Sequence, residues 1–219
     1  MTIIPADAPT AAPPTAAWAE LKNDPVAPTR VLVVDDHEAV RAGLRDLLAD
    51  EADLEVAAAV ATAEAAIEIA EREPIDVAVV DYQLGAGHNG LWLSRKLKRL
   101  TEPPAVLIYS AYIDGVLAAA AVLAQADAIV SKGKVGAELC HAVRGVAAGR
   151  RDLPQLPPCL AESLRRRLDH EEQAIFGMLL AGLEPSEVAS TLGCSPTVLE
   201  SRLWELLRRV EGLPAARAA

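Results

Sequence analysis

Four short apolar runs of this chain each end at polar residues that can bind metal or phosphate. The runs end at Asp35-Asp36, at Asp81, at Ser110, and at Lys132 after Ser131. Carboxylates that come together repel one another, so a cation must neutralise them at neutral pH. Hard oxygen ligands with no His or Cys nearby favour Mg²⁺. The sequence therefore predicts a magnesium site beside a hydroxyl and an amine.

This set of residues predicts phosphoryl transfer. An aspartate carboxylate can attack a phosphoryl group and form an acyl phosphate. We predict that Asp81 is this nucleophile, because it stands alone at the end of its apolar run. Lys132 would supply positive charge for the phosphoryl oxygens, and the Ser110 hydroxyl would donate to one of them. The predicted magnesium ligands are Asp36 and Asp81 directly, Asp35 through water, and the backbone carbonyl of Gln83.

Alternating strands and helices would position these side chains. Short apolar runs, typical of buried parallel strands, lie at 30–34, 55–60, 76–80, 105–109 and 127–130. Helical patterns lie between and after them, at 38–48, 63–72, 91–100, 113–124 and 135–148. This alternation predicts an α/β fold, and right-handed crossovers favour a flavodoxin-like (βα)5 sheet of order 2-1-3-4-5. The first and third strands are neighbours in that order, so their aspartates would meet.

Composition divides the chain into further segments. Residues 1–29 are rich in Ala, Pro and Thr and predict a disordered leader. The α/β domain would span 30–150, a proline-stiffened linker 151–160, a small all-α domain 161–213, and a tail 214–219. In the all-α domain, helices at 186–192 and 197–210 are joined by a tight turn. Ser195 before Pro196 suits the start of the second helix, so the pair predicts a helix-turn-helix.

Charge and composition exclude several classes of protein. The formal net charge of −10 argues against a protein that coats nucleic acid, although one small module can still bind DNA. The chain has no run of about 18 uncharged apolar residues and no signal-peptide pattern, so we predict no membrane span. Cys140, Cys159 and Cys194 are scattered, which predicts reduced, buried thiols in a cytoplasmic protein. The four His residues form no spaced cluster for zinc or copper.

The motifs at the strand ends resemble a known family. Residues 30–150 resemble the receiver domain of two-component response regulators, in Val33-Val34-Asp35-Asp36-His37, Val79-Val80-Asp81 with Gly90 downstream, Ser110-Ala111 and Ser131-Lys132-Gly133. The C-terminal part resembles the LuxR-type helix-turn-helix of the NarL/FixJ group, in Leu168-Asp169-His170-Glu171-Glu172, Gly182-Leu183, Glu187-Val188-Ala189 and Leu192. The resemblance implies that a sensor histidine kinase phosphorylates Asp81. It also implies a homodimer that binds DNA and regulates transcription.

Two features depart from the family pattern. Ile129 stands where receivers carry an aromatic switch residue, so either Tyr109 or Tyr112 substitutes or the switch works without an aromatic side chain. The stretch 165–213 is acidic, with six arginines against eight Asp and Glu residues. The resemblance implies DNA contacts by Thr197, Ser201, Arg202 and Arg208. Glu200 would be repelled by DNA phosphate unless it accepts from a cytosine amino group. Trp204 would belong either to the core or to a protein interface.

Three functions remain open from the sequence. The first is a phosphorylation-controlled transcriptional regulator that acts as a dimer on DNA. The second is a phospho-switch whose acidic helical domain binds a protein partner instead. The third is a phosphatase with the same Asp–Mg²⁺ chemistry, which ranks last because Gln83 stands where a second acid–base aspartate is needed.

Overall fold

The computed structural model describes residues 27–85, 87–133 and 136–212, and of residue 165 it describes the backbone alone. The leader predicted at 1–29 lies outside the described residues except for 27–29, and Thr29 already belongs to the first strand. The tail predicted at 214–219 lies wholly outside them.

Five parallel strands alternate with five helices in the α/β domain. The strands are β1 (Thr29–Val34), β2 (Leu54–Val60), β3 (Val77–Asp81), β4 (Ala105–Ser110) and β5 (Ala128–Ser131). The helices are α1 (Glu38–Ala49), α2 (Ala63–Arg72), α3 (Gly90–Leu97), α4 (Gly115–Leu123) and α5 (Ala137–Ala147). The sheet order is β2-β1-β3-β4-β5, which confirms the flavodoxin-like prediction.

Four helices form the helical domain: α6 (Pro158–Arg167), α7 (His170–Leu180), α8 (Pro185–Leu192) and α9 (Pro196–Glu211). The predicted turn between α8 and α9 is present, since Gly193 ends α8 in the left-handed region (φ 65°) and the Ser195 side chain caps α9. Helix α6 begins at Pro158, so the last three residues of the predicted linker are helical. Proline fits the first turn of a helix because its missing N–H has no partner there. The domain boundaries at 150 and 161 stay predictions.

The sheet has an apolar core on each face. One core packs α1 and α5 onto the sheet, through residues such as Leu48 and Leu139. The other core packs α2, α3 and α4 onto the opposite face. Every residue of β3 is buried, as expected of a central parallel strand covered on both sides.

Helix α4 lies at the interface between the two domains. Its sequence, GVLAAAAVL, has no polar face, and seven of its nine residues are buried. A helix that is apolar all round must be covered on all sides. Its buried residues belong to the same apolar core as residues of the sheet, and α7 and α9 of the helical domain pack against it. One apolar core therefore continues from the sheet through α4 into α9.

The three cysteines are free thiols in different environments. Cys140 is buried and Cys194 is partly buried, whereas Cys159 is exposed. The expectation of buried thiols is therefore wrong for Cys159, which lies in the first turn of α6 just after the interdomain connection. Within the described part of the chain, none of the helices has the length and apolar character needed to span a bilayer.

Candidate functional site

The carboxyl ends of β1 and β3 bring four side chains together. Asp35, Asp36, His37 and Asp81 each offer one ligand atom, and these atoms lie within 4.8 Å of one another. Asp35 is fully buried and Asp81 is only 4% exposed, because Asp35 directly follows buried β1 and Asp81 is the last residue of buried β3. The three aspartates therefore converge where the strand order placed them.

Lys132 neutralises two of these carboxylates. Its ammonium nitrogen Nζ lies 2.7 Å from Oδ2 of Asp35 and 2.8 Å from Oδ2 of Asp81. The backbone holds it in place, since the Lys132 amide donates to the Ser110 carbonyl at 2.7 Å. Burial alone would lower the pKa of Lys132, but the hydrogen bonds to the two aspartates outweigh burial and raise it. The side chain is therefore a stable cation beside the acids.

Asp81 is a desolvated carboxylate. Burial raises its pKa, the hydrogen bond from Lys132 opposes this rise, and the negative charge of Asp35 adds to it. Its Oδ1 accepts a hydrogen bond from the Gln83 amide at 3.2 Å. One oxygen is thus oriented by backbone and the other by an ammonium group, which positions the carboxylate for attack on an electrophile.

Ser110 and Lys132 share a cavity of about 460 Å³ with Asp81, and Gln83 also lines it. The Ser110 hydroxyl donates to the Tyr112 carbonyl at 2.7 Å. To donate to a phosphoryl oxygen, this hydroxyl must rotate away from Tyr112. The Ser110 hydroxyl therefore lies in the same cavity as Asp81, and the Tyr112 carbonyl competes for its proton.

His37 corrects one expectation, since an imidazole does lie near the acids. Its Nδ1 is 2.7 Å from Oδ1 of Asp36 and 3.4 Å from Oδ1 of Asp35. The side chain is 68% exposed because His37 precedes α1 at the open edge of the site. Carboxylate oxygens still form most of the donor set, and such a set fits Mg²⁺.

The residues considered for the aromatic switch differ in their exposure to solvent. Ile129 is buried at the position where receivers carry the aromatic switch. Tyr109 is buried as well, with its ring centre 5.7 Å from Nζ of Lys132. Tyr112 is 66% exposed and has room to change rotamer. Of the two candidates left by the sequence, Tyr109 is packed in the core and Tyr112 is exposed to solvent.

Gly90 allows the loop after β3 to return onto the strand end. A Cβ at this position would lie 2.3 Å from the Asp81 carbonyl oxygen.

We expect Gly90→Ala to lower the free energy of unfolding by about 1–3 kcal/mol, because the backbone next to Asp81 must shift. Urea denaturation measures this loss. The control is Gly43→Ala at an exposed position of α1, where a Cβ would meet no described atom within 4 Å. This substitution should stabilise the helix by up to about 1 kcal/mol. Equal effects at the two glycines would contradict the argument.

The residues predicted to contact DNA lie on α9. Thr197 is exposed in the first turn, and its carbonyl accepts from the Ser201 hydroxyl at 3.2 Å. Arg202 forms an ion pair with Glu171 of α7. Arg208 is exposed and, together with Ser201, lines a cavity of about 630 Å³ between α9 and the α/β domain. In this arrangement the later turns of α9 face the other domain.

A buried ion pair holds α9 against α3. The Arg95 side chain is fully buried, and it pairs with Glu200 while its Nη1 donates to the Leu123 carbonyl at 2.7 Å. Burial lowers the pKa of Arg95, and the hydrogen bond with Glu200 opposes this effect. Glu200 was expected opposite DNA phosphate, so its place in this pair is a correction. The sequence carried no signal that these two residues meet.

Aromatic and polar contacts complete the interdomain interface. The rings of Trp92 and Trp204 have centroids 6.4 Å apart, and the Arg95 guanidinium carbon lies 5.1 Å from the Trp204 ring centre. Trp204 therefore occupies an interface within the chain. At the end of α9, Oε1 of Glu211 accepts from Nδ2 of Asn89 at 2.5 Å. Sequence analysis missed Trp92, Asn89 and Glu211, since nothing in their local pattern indicates a partner.

Known proteins match most of the chain. A family model described as the response regulator receiver domain matches residues 31–144. Response regulator UvrY of Escherichia coli is 29% identical over 190 residues, which cover 82% of this chain and 87% of that protein. The DNA-binding transcriptional activator DevR/DosR of Mycobacterium tuberculosis is 33% identical over 192 residues, which cover 83% and 88% respectively. The similarity to both relatives extends past the α/β domain into the helical domain.

A solved structure is similar as well. The crystal structure of a two-component response regulator of the LuxR family from Aurantimonas sp. SI85-9A1 is 28% identical, with a TM-score of 0.54. The match covers 64% of this chain and 98% of that one.

Proposed function

The chain belongs to the response regulator family, in the NarL/FixJ group, and we propose that it accepts a phosphoryl group on Asp81 from a sensor histidine kinase. The observation that carries this proposal is the position of Asp81. Its buried carboxylate lies 2.8 Å from Nζ of Lys132 and shares a cavity with Ser110. A nucleophile, a cation and a hydroxyl donor thus face one space, as phosphoryl transfer requires.

In the proposed reaction, a carboxylate oxygen of Asp81 attacks the phosphorus of a phosphohistidine. The phosphorus–nitrogen bond breaks, a phosphorus–oxygen bond forms, and the histidine departs with the electron pair. Lys132 offsets the negative charge of the phosphoryl oxygens, and the Ser110 hydroxyl donates to one of them. Asp35, Asp36, Asp81 and the Gln83 carbonyl would hold Mg²⁺, which when bound offsets the charge of the acids and of the phosphoryl group.

The output of the protein is proposed to be DNA binding as a homodimer in the cytoplasm. A helix-turn-helix reads DNA with its second helix, here α9, through Thr197, Ser201, Arg202 and Arg208. DevR/DosR is named a DNA-binding transcriptional activator, which favours DNA over a protein partner as the target of this domain. The matched relatives are named as regulators, which favours regulation over phosphatase activity. Phosphorylation would shift the population in which α9 has left the α/β domain.

A DNA titration tests the output. The probe is a duplex selected from a random-sequence pool by the protein loaded with beryllofluoride, a mimic of the phosphoryl group. We expect the mimic to tighten binding and the affinity to fall as salt rises, because cations on α9 displace counterions from DNA. Fluorescence anisotropy at two salt concentrations measures both effects.

Arg208→Ala provides the residue-level version of this test. Loss of one phosphate contact should reduce the magnitude of the salt slope, which is the slope of log binding constant against log salt concentration, by about one. The control is Arg72→Ala in α2, since Arg72 pairs with Glu68 at the surface of the α/β domain and should leave the slope unchanged. An affinity that does not respond to salt would favour a protein partner instead.

A further inference from the structure

The last residue of α9 reaches the cavity that holds the proposed phosphoacceptor. Glu211 lines this cavity together with Asp81 and Lys132, although it belongs to the other domain. Its carboxylate is held there by Asn89, whose Nδ2 donates to Oε1 at 2.5 Å. Asn89 itself caps α3, since its Oδ1 accepts from the Trp92 amide at 2.9 Å. The position of Glu211 is thus fixed by the packing of the two domains.

Glu211 adds a third carboxylate to a cavity that already contains Asp81 and Asp114. Burial raises the pKa of Glu211, and the hydrogen bond from Asn89 opposes this rise. Of the described residues that line the cavity, Lys132 is the one Lys or Arg, and it is already bonded to Asp35 and Asp81. A phosphodonor that enters the cavity therefore meets an additional carboxylate, which forms no ion pair with a Lys or Arg among the residues that the structure describes.

We propose that Glu211 selects the phosphodonor: while the domains are packed together, its carboxylate disfavours entry of small, highly charged anionic donors to Asp81. This inference rests on the proposed function, since it concerns which molecules deliver the phosphoryl group. A negative group at the mouth of a cleft lowers the local concentration of anions and slows their association. Spurious phosphorylation by metabolic acyl phosphates is thereby reduced.

The reaction that probes this selection is phosphorylation by acetyl phosphate. A carboxylate oxygen of Asp81 attacks phosphorus, the bond between phosphorus and the acetyl oxygen breaks, and acetate leaves with the electron pair. Phosphoramidate delivers the same group but carries less negative charge at neutral pH. A charge at position 211 must therefore affect the rate of phosphorylation by acetyl phosphate more than the rate of phosphorylation by phosphoramidate.

The test compares full-length wild type with Glu211→Gln, using intact-protein mass spectrometry over time in Mg²⁺. Glutamine keeps the carbonyl oxygen that accepts from Asn89, so the domain contact is retained. We expect the rate of phosphorylation by acetyl phosphate to be about threefold to tenfold higher in Glu211→Gln than in wild type, and the rise with phosphoramidate to be smaller. The difference between variant and wild type should decrease at high salt, because salt screens the charge. Glu211→Lys should raise the acetyl phosphate rate further. The control is Glu205→Gln, which removes an exposed charge of the same helix from the neighbouring cavity and should change neither rate.

Two results would overturn the proposal. One is an acetyl phosphate rate in Glu211→Gln equal to that of wild type. The other is an equal acceleration with both donors, which would mean that the substitution merely separates the domains. Failure of the proposed function would give a different result. Wild type itself would then remain unlabelled, or the label would persist in a variant without Asp81.

Discussion

Asp81→Asn is expected to abolish acyl phosphate formation from acetyl phosphate in the presence of Mg²⁺. The amide has nearly the same shape as the carboxylate but is not a nucleophile under these conditions. It also loses the charge that pairs with Lys132 at 2.8 Å. Intact-protein mass spectrometry and an acyl phosphate–specific gel measure the loss, which should reach the detection limit.

The matched control lies at the other end of the same strand. Asp76 immediately precedes β3, and its Oδ2 accepts from the Arg30 amide at 2.7 Å. Asn keeps an acceptor oxygen at this position, so Asp76→Asn should be labelled at the wild-type rate. Undiminished labelling of Asp81→Asn would reject Asp81 as the nucleophile, whatever the behaviour of the control.

The convergence at the acidic site was predictable because it depends on strand ends. Short apolar runs define parallel strands, and the order 2-1-3-4-5 brings the ends of β1 and β3 together. Asp35 directly follows β1 and Asp81 is the last residue of β3, so their positions required no knowledge of side-chain packing. His37 was missed as a neighbour of the acids even though it is adjacent to Asp36 in the sequence.

The interdomain contacts could not be predicted in the same way. Periodicity shows which face of a helix is apolar, but it does not show which other element covers that face. The one available signal was α4, whose stretch 115–123 has no polar residue and so requires cover beyond the sheet. The ion pair of Arg95 with Glu200 and the bond of Asn89 with Glu211 depend on how two domains dock, which local sequence does not encode.

The acidic character of the helical domain has a structural explanation in these contacts. Glu171 and Glu172 pair with arginines of α9, while Glu200 and Glu211 bind polar groups of the α/β domain. Much of the negative charge therefore serves internal contacts. The contacts of Glu200 and Glu211 exist only while the two domains are packed together, so these two acids become available to repel DNA phosphate once α9 leaves the α/β domain.

Removal of Glu200 is expected to release α9 from the α/β domain. In Glu200→Ala, Arg95 loses its partner, and an unpaired buried guanidinium costs about 3–5 kcal/mol. Separation of the domains lets water reach Arg95 and relieves this cost, so the packed arrangement should lose population to an open one. Hydrogen exchange in α3 and α9 should accelerate, and DNA should bind more tightly without beryllofluoride.

Glu205→Ala is the control for helix propensity and charge, since Glu205 is exposed on the same helix. It removes one negative charge from α9, as Glu200→Ala does, but leaves Arg95 paired. If exchange in α3 and α9 were the same in both variants, the apolar packing of α4 against α9 would hold the domains together by itself. If DNA binding improved equally in both, the gain would come from reduced repulsion of phosphate and not from release of the helix.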